Sequence, residues 1–152
     1  MTLMALTQGE DPQLVIGPLR IWIHGRQFPG MKDYWDGNWI LTTAQVEEEG
    51  ARVTVYGPIL HLPELRTWLG ELETLHKNLK GTAELPTMEP NLRVALRAEA
   101  LGRIEAEVEL TPNHLSQEHR FSFAVDQSFL PQLCWSIRQV LKDFPIVGRP
   151  GE

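Results

Sequence analysis

The stretch LRVALRAEALGRIEAEVEL, residues 92–110, decides the fold of this chain. Leu92, Val94 and Leu96 alternate with Arg93 and Arg97, and Ile104, Ala106, Val108 and Leu110 alternate with Glu105, Glu107 and Glu109. A period of two sends successive side chains to opposite faces of a strand, so each run has one apolar and one charged face. Ala100-Leu101-Gly102 is the length of a three-residue hairpin loop, with Gly102 where such a loop needs a left-handed residue. That hairpin sets Val94 against Val108, Arg97 against Glu105 and Arg93 against Glu109. A slip by one residue would set apolar side chains against charged ones along its whole length.

Outward from this hairpin, Phe121, Phe123 and Val125 supply a further strand. Toward the N-terminus, Leu19, Ile21 and Ile23 alternate with Arg20, Trp22 and His24, and Gly17-Pro18 breaks off a shorter strand at Leu14 to Ile16. Residues 27–37 read as a loop, strands follow at Trp39 to Val46 and Arg52 to Tyr56, and a turn at Glu48 to Gly50 joins them. Two helices complete the chain. In the first, Pro63 suits the opening turn, and Leu65, Trp68, Leu69, Leu72, Leu75 and Leu79 fall on one face up to a stop at Gly81. In the second, Asp126 or Ser128 caps, Pro131 fits the first turn, and Leu130, Leu133, Cys134, Ile137, Leu141 and Phe144 make the stripe before Pro145.

Strands in runs separated by single helices predict an α+β domain. The expected form is a mainly antiparallel, curved sheet of six to eight strands, able to close part-way into a barrel, with two amphipathic helices packed on it. One domain spans residues 1–152, with loose tails at 1–13 and 146–152. A single cysteine, Cys134, allows no internal disulfide and points to a reducing, cytoplasmic compartment. No signal-like leader and no membrane-length apolar run occur in the sequence. The net charge of −6, with Lys and Arg scattered, argues against nucleic-acid binding and favours basic partners.

Candidate chemistry is sparse. Cys134 lies within an apolar helix stripe, where small buried cysteines are common. Of the five histidines, only His114 and His119 come near a ligand spacing, so no metal is expected. Asp33, Asp36 and Asn38 could ligate Ca²⁺ but lack the spacing of a twelve-residue calcium loop, and they are ordinary turn formers. Asp36 and Glu89 could pair as carboxylates, but nothing in the sequence sets their separation. There is no nucleophile elbow, phosphate-cradling glycine loop or dinucleotide fingerprint, so no catalytic residue and no cofactor are assigned.

The densest motif is aromatic and acidic together: Phe28-Pro29, then Asp33-Tyr34-Trp35-Asp36-Gly37-Asn38-Trp39. Such aromatics either pin a loop to the core or form a hot spot for a partner. Trp39 is assigned to the start of a strand and to the core, and Tyr34 and Trp35 with Asp33 and Asp36 are the candidate partner-binding residues. Gly25, this motif, Glu89-Pro90-Asn91-Leu92 and Phe144-Pro145 together resemble a family of small bacterial proteins, some of them WapI-type immunity proteins. The resemblance spans most of the chain, and Tyr-Trp-Asp-Gly-Asn-Trp is its distinctive part. It implies a non-enzymatic protein that binds and neutralises the toxic C-terminal domain of a contact-dependent toxin, often a nuclease. Two other functions compete: a small-molecule site between sheet and helices, near Trp22, Trp35 and Tyr56, and a hydrolase built on clustered carboxylates.

Overall fold

Strands β6 (Leu92–Ala98) and β7 (Arg103–Leu110) pair antiparallel, with Val94 opposite Val108, Arg97 opposite Glu105 and Arg93 opposite Glu109. The expected register therefore holds. The loop needs two left-handed residues, Leu101 as well as Gly102, and Leu101 projects fully into solvent. Register does not dictate the ion pairs, however. Arg97 bonds Glu99 at 2.6 Å and Arg103 bonds Glu105 at 2.6 Å, each taking a nearer carboxylate than the one across the ladder.

The computed structural model describes residues 9–151. The remaining elements are β1 (Leu14–Ile16), β2 (Leu19–Arg26), β3 (Trp39–Glu48), β4 (Ala51–His61), α1 (Leu62–Asn78), β5 (Thr82–Glu84), β8 (Arg120–Asp126) and α2 (Leu130–Asp143). The strands form two four-stranded antiparallel sheets, ordered β1-β2-β3-β4 and β5-β6-β7-β8, and each meander is followed by a helix. The expected single sheet is thus divided in two, and neither part closes into a barrel.

Two boundaries differ from the sequence reading, and one strand is additional to it. β4 runs on to His61 through Pro58, which an edge strand tolerates at a bulge, and the register shifts there between Ile40 and Thr42. α1 stops at Asn78 because Leu79 turns left-handed (φ 52°), its N–H donating to the Leu75 carbonyl, so Leu79 leaves the apolar stripe and is exposed. β5 is a three-residue strand, too short to show a pattern of its own.

One core joins the inner faces of both sheets to the facing stripes of the helices, with Leu65, Trp68, Leu72, Leu75, Leu133 and Ile137 among its buried members. Burying one such side chain is worth about 1.5–3 kcal/mol, whereas an exposed pair such as Arg93–Glu84 contributes about 0–1 kcal/mol. Apolar burial therefore supplies the stability, and the charged face mainly selects the register. Trp22 departs from the simple alternation. It is buried on the outer face of the first sheet, where its indole N–H donates to the Glu10 carbonyl at 2.9 Å. No helix among the described residues is long and apolar enough to cross a membrane.

Cys134 is buried at 4% exposure, and burial pushes its thiol above the ordinary cysteine value. We expect a thiol reagent to modify it only after denaturant is added. Rapid labelling of the native protein, followed by absorbance, would show that the α2 face is assigned wrongly.

Candidate partner-binding site

The Asp33–Trp39 motif forms a tight loop that enters β3. Asp33 holds the loop on itself: its Oδ2 accepts the Asp36 N–H at 2.9 Å, and its carbonyl accepts the Gly37 N–H at 3.0 Å. This is an Asx-type turn. Gly37 is buried, and a Cβ there would lie 2.6 Å from both the Asp33 carbonyl oxygen and Val147 Cγ2, so only glycine fits.

Asn38 is the centre of the arrangement. It is fully buried, and its Nδ2 donates to the carbonyls of Tyr34 at 2.7 Å and Val147 at 2.8 Å. Its Oδ1 accepts the Val147 N–H at 2.9 Å, and its main-chain carbonyl accepts the Leu62 N–H at 2.9 Å. One residue, through its side-chain amide and its main-chain carbonyl, thus ties together the loop, the segment after α2 and the start of α1. Arg26 adds two further bonds, to the Gly37 carbonyl at 2.7 Å and to the Pro145 carbonyl. The segment read as the C-terminal tail is accordingly held at Val147, while residues 1–8 of the other expected tail lie outside the described residues.

His61, the last residue of β4 and the N-cap of α1, sits beneath the aromatic side chains. Its Nε2 lies 3.1 Å from the Tyr34 carbonyl and 3.0 Å from that of Trp35, and because both partners only accept, Nε2 carries the proton. Trp35 stacks on the imidazole at 5.6 Å and 16°, Tyr34 meets it edge-on at 5.4 Å, and Trp39 lies at 4.7 Å and 49°. Glu64 accepts the His61 N–H at 2.8 Å on one oxygen and the Met88 N–H at 2.7 Å on the other. Burial holds the His61 imidazole below the ordinary histidine value, and it raises the Glu64 carboxyl above the usual carboxylate range.

On this scaffold rests a shallow groove of about 260 Å³, lined by Tyr34, Trp35, His61, Pro63, Pro86 and Met88. Trp35 is 49% exposed and Met88 53%. Of the predicted site residues, Tyr34 and Trp35 line the groove, Asp36 is exposed, and Asp33 is committed to the turn. Trp39 begins β3 as expected but is only half-buried, which corrects its assignment to the core. The Asn38 amide oxygen, a possible Ca²⁺ ligand in the sequence, is taken by Val147. No group of three or more His, Cys, Asp or Glu side chains placed to hold a metal occurs among the described residues. Sequence reading overlooked His61, Glu64 and Met88. A carboxylate three residues after the N-cap, the second half of a capping box, was the available signal for the first two.

Fold and site together define a small two-sheet α+β protein that presents an aromatic groove on a hydrogen-bonded scaffold. The chain belongs to the immunity protein WapI-like family, whose model matches residues 13–145. Among solved structures, the CdiA-CT/CdiI toxin and immunity complex from Enterobacter cloacae contains a similar chain, at 9% identity and a TM-score of 0.41, over 66% of this chain and 89% of that one. A likeness this loose decides nothing about function. No curated protein matches the sequence.

Two outcomes follow. Asn38→Ala removes the partners of part-buried main-chain groups of Tyr34 and Val147, a loss of about 1–3 kcal/mol in all, so urea unfolding should shift measurably, whereas Trp35→Ala should shift it little. The His61 value is depressed, so the unfolded chain takes up the proton first as pH falls through about 6.5, and the folded state loses stability there. Glu64 acts oppositely: its raised value favours the folded state in acid, and that advantage fades as pH rises through its folded value. Melting of His61→Gln alongside wild type, from pH 7 downward, should show the loss flattened in the variant. Parallel curves would remove His61 from the balance.

Proposed function

We propose that this chain is a non-enzymatic immunity protein of the cytoplasm, which binds the toxic domain of a cognate toxin and blocks it by occlusion. Membership of the immunity protein WapI-like family over residues 13–145 carries this reading. The net charge of −6 favours a basic toxin domain, of the kind a nuclease presents to its substrate. Tyr34 and Trp35 are the proposed anchors, with Asp36 on the polar rim. A half-exposed indole backed by stacked His61 presents a large rigid face at little cost in side-chain entropy. Opposite net charges would speed the encounter, and the buried anchors would hold the complex.

The ligand-binding alternative has less support. Trp22 and Tyr56 flank Thr43 across β2, β3 and β4 on the outer face of the first sheet, whereas Trp35 lines the groove beside α1. The space between sheets and helices is filled by the shared core. The hydrolase reading needs free acids, whereas the clustered Glu84, Glu107 and Glu109 are ion-paired with Arg93 and Arg120.

The test is titration of any toxin domain found encoded beside this gene with wild-type protein and with Trp35→Ala, both first shown to melt alike. The variant should bind about thirtyfold more weakly, corresponding to about 2 kcal/mol for a hot-spot side chain. Association should also slow as salt rises, because a Debye length of about 8 Å at physiological ionic strength screens the approach. Equal affinity would remove Trp35 from the interface, and failure of the folded wild type to bind or protect against that toxin would sink the immunity reading.

A further inference from the structure

Of the four sheet edges, three carry a feature that discourages another strand. β1 and β5 are three residues each, and β4 has Pro58 at a bulge. β8 has neither protection: it is seven residues long, without proline, and its register against β7 is unbroken. The Leu110 N–H donates to the His119 carbonyl, which makes 110 and 119 a hydrogen-bonded pair of this ladder. Alternation then gives the same status to 108 with 121, 106 with 123 and 104 with 125. The main-chain groups of Arg120, Ser122 and Ala124 consequently point away from β7, toward the open edge. No hydrogen bond among the described residues reaches Ser122 or Ala124 from that side.

The core also thins toward this edge. Val94, Leu96, Ile104 and Val108 are 0% exposed on the inner face, but Phe121, Phe123 and Val125 on the same face of β8 remain half-buried. Another strand would finish covering them.

The strand RFSFAVD is complementary to itself when laid antiparallel about Phe123. Arg120 then faces Asp126 of the second copy, Phe121 faces Val125, Ser122 faces Ala124, and Phe123 faces its own copy. In this register the edge-pointing residues pair only with one another, which a hydrogen-bonded ladder requires. A shift by two residues would set Arg120 against Ala124 and lose both charge pairs. Matched charges outside and matched apolar residues inside therefore specify one register, and they favour a second copy over an unrelated strand.

We propose that β8 is a dimerisation edge, through which two copies of this chain join antiparallel into one continuous sheet with its twofold axis at Phe123. The interface is isologous, so each contact occurs twice. The proposal stands apart from the toxin-binding reading and does not depend on it.

Sedimentation equilibrium of the full chain over a concentration series tests it. The wild-type mass should rise with concentration toward twice the 17.3 kDa of the chain. Ala124→Pro deletes an N–H that points off the sheet and leaves the β7 ladder intact, so it should melt close to wild type and remain monomeric. Arg120→Asp gives up the Arg120 pairs with Glu107 and Glu109 inside each copy as well as setting like charges together at both ends of the dyad, and should weaken association about tenfold. R120D combined with D126R, which also removes the Asp126 bond to the Ser128 N–H, should restore association but not those bonds within each copy. A wild type that stays monomeric throughout would overturn the proposal, as would dimers indifferent to both Ala124→Pro and Arg120→Asp. If Ala124→Pro fails to fold, the charge swap decides by itself. A monomeric wild type that loses toxin binding on Ala124→Pro would assign the edge to a foreign strand and would also overturn the dimer.

Discussion

The buried amide of Asn38 is the constraint on which the site depends. An amide taken out of water without partners costs several kcal/mol on an apolar reference scale, so its donors and acceptor have to be met inside the protein. Here they are met by main chain from two distant places, the Tyr34 carbonyl within the loop and both polar groups of Val147 near the C-terminus. The Asn38 main-chain carbonyl meanwhile takes one of the first N–H groups of α1. Loop, helix entry and terminal segment are thereby fixed relative to one another by the side chain and main chain of a single residue. Packing adds a second lock, since Gly37 leaves no room for a Cβ and Gly148, at φ +69°, lies against the Tyr34 main chain.

That scaffold explains how exposed aromatics can be held still. Trp35 and Tyr34 are not buried enough to be anchored by area alone, yet their carbonyls are bonded to His61 and their rings pack on its imidazole. Glu64 extends the same chain of bonds to Met88 on the opposite wall of the groove. A groove whose walls are already ordered loses little entropy when a partner docks, which is how preorganisation favours tight binding. The tyrosine-tryptophan motif therefore serves structure and surface together: Gly37 and Asn38 belong to the scaffold, and Trp35 faces solvent.

Charge acts at a different level. On the outer face of the second sheet, Arg93 and Arg120 share Glu84, Glu107 and Glu109, and all of these side chains are at least a quarter exposed. Such pairs add little to stability, but they make a slipped register unfavourable and keep an uncovered sheet face soluble. The net excess of acid gives the surface a negative field.

Some of this was determined by sequence alone. The period-two runs at 92–110 fixed a register, the three- and four-residue spacing of leucines fixed two helices, and turn residues marked the long loop, because each depends on neighbours along the chain. The tyrosine-tryptophan motif was legible as the candidate site for the same reason of local density. Tertiary structure decided the rest. Whether eight strands make one sheet or two depends on which edges meet. Trp22 is buried and Trp39 only half-buried, against the alternation and the core assignment, because burial depends on what covers a face: the segment at Glu10 covers Trp22, and Trp39 lines an open cleft with Gln27 and Tyr56. Asn38 read as a turn former, and its task could not be seen from position 38, because the partner that defines it lies at Val147 and is brought there only by the folded chain.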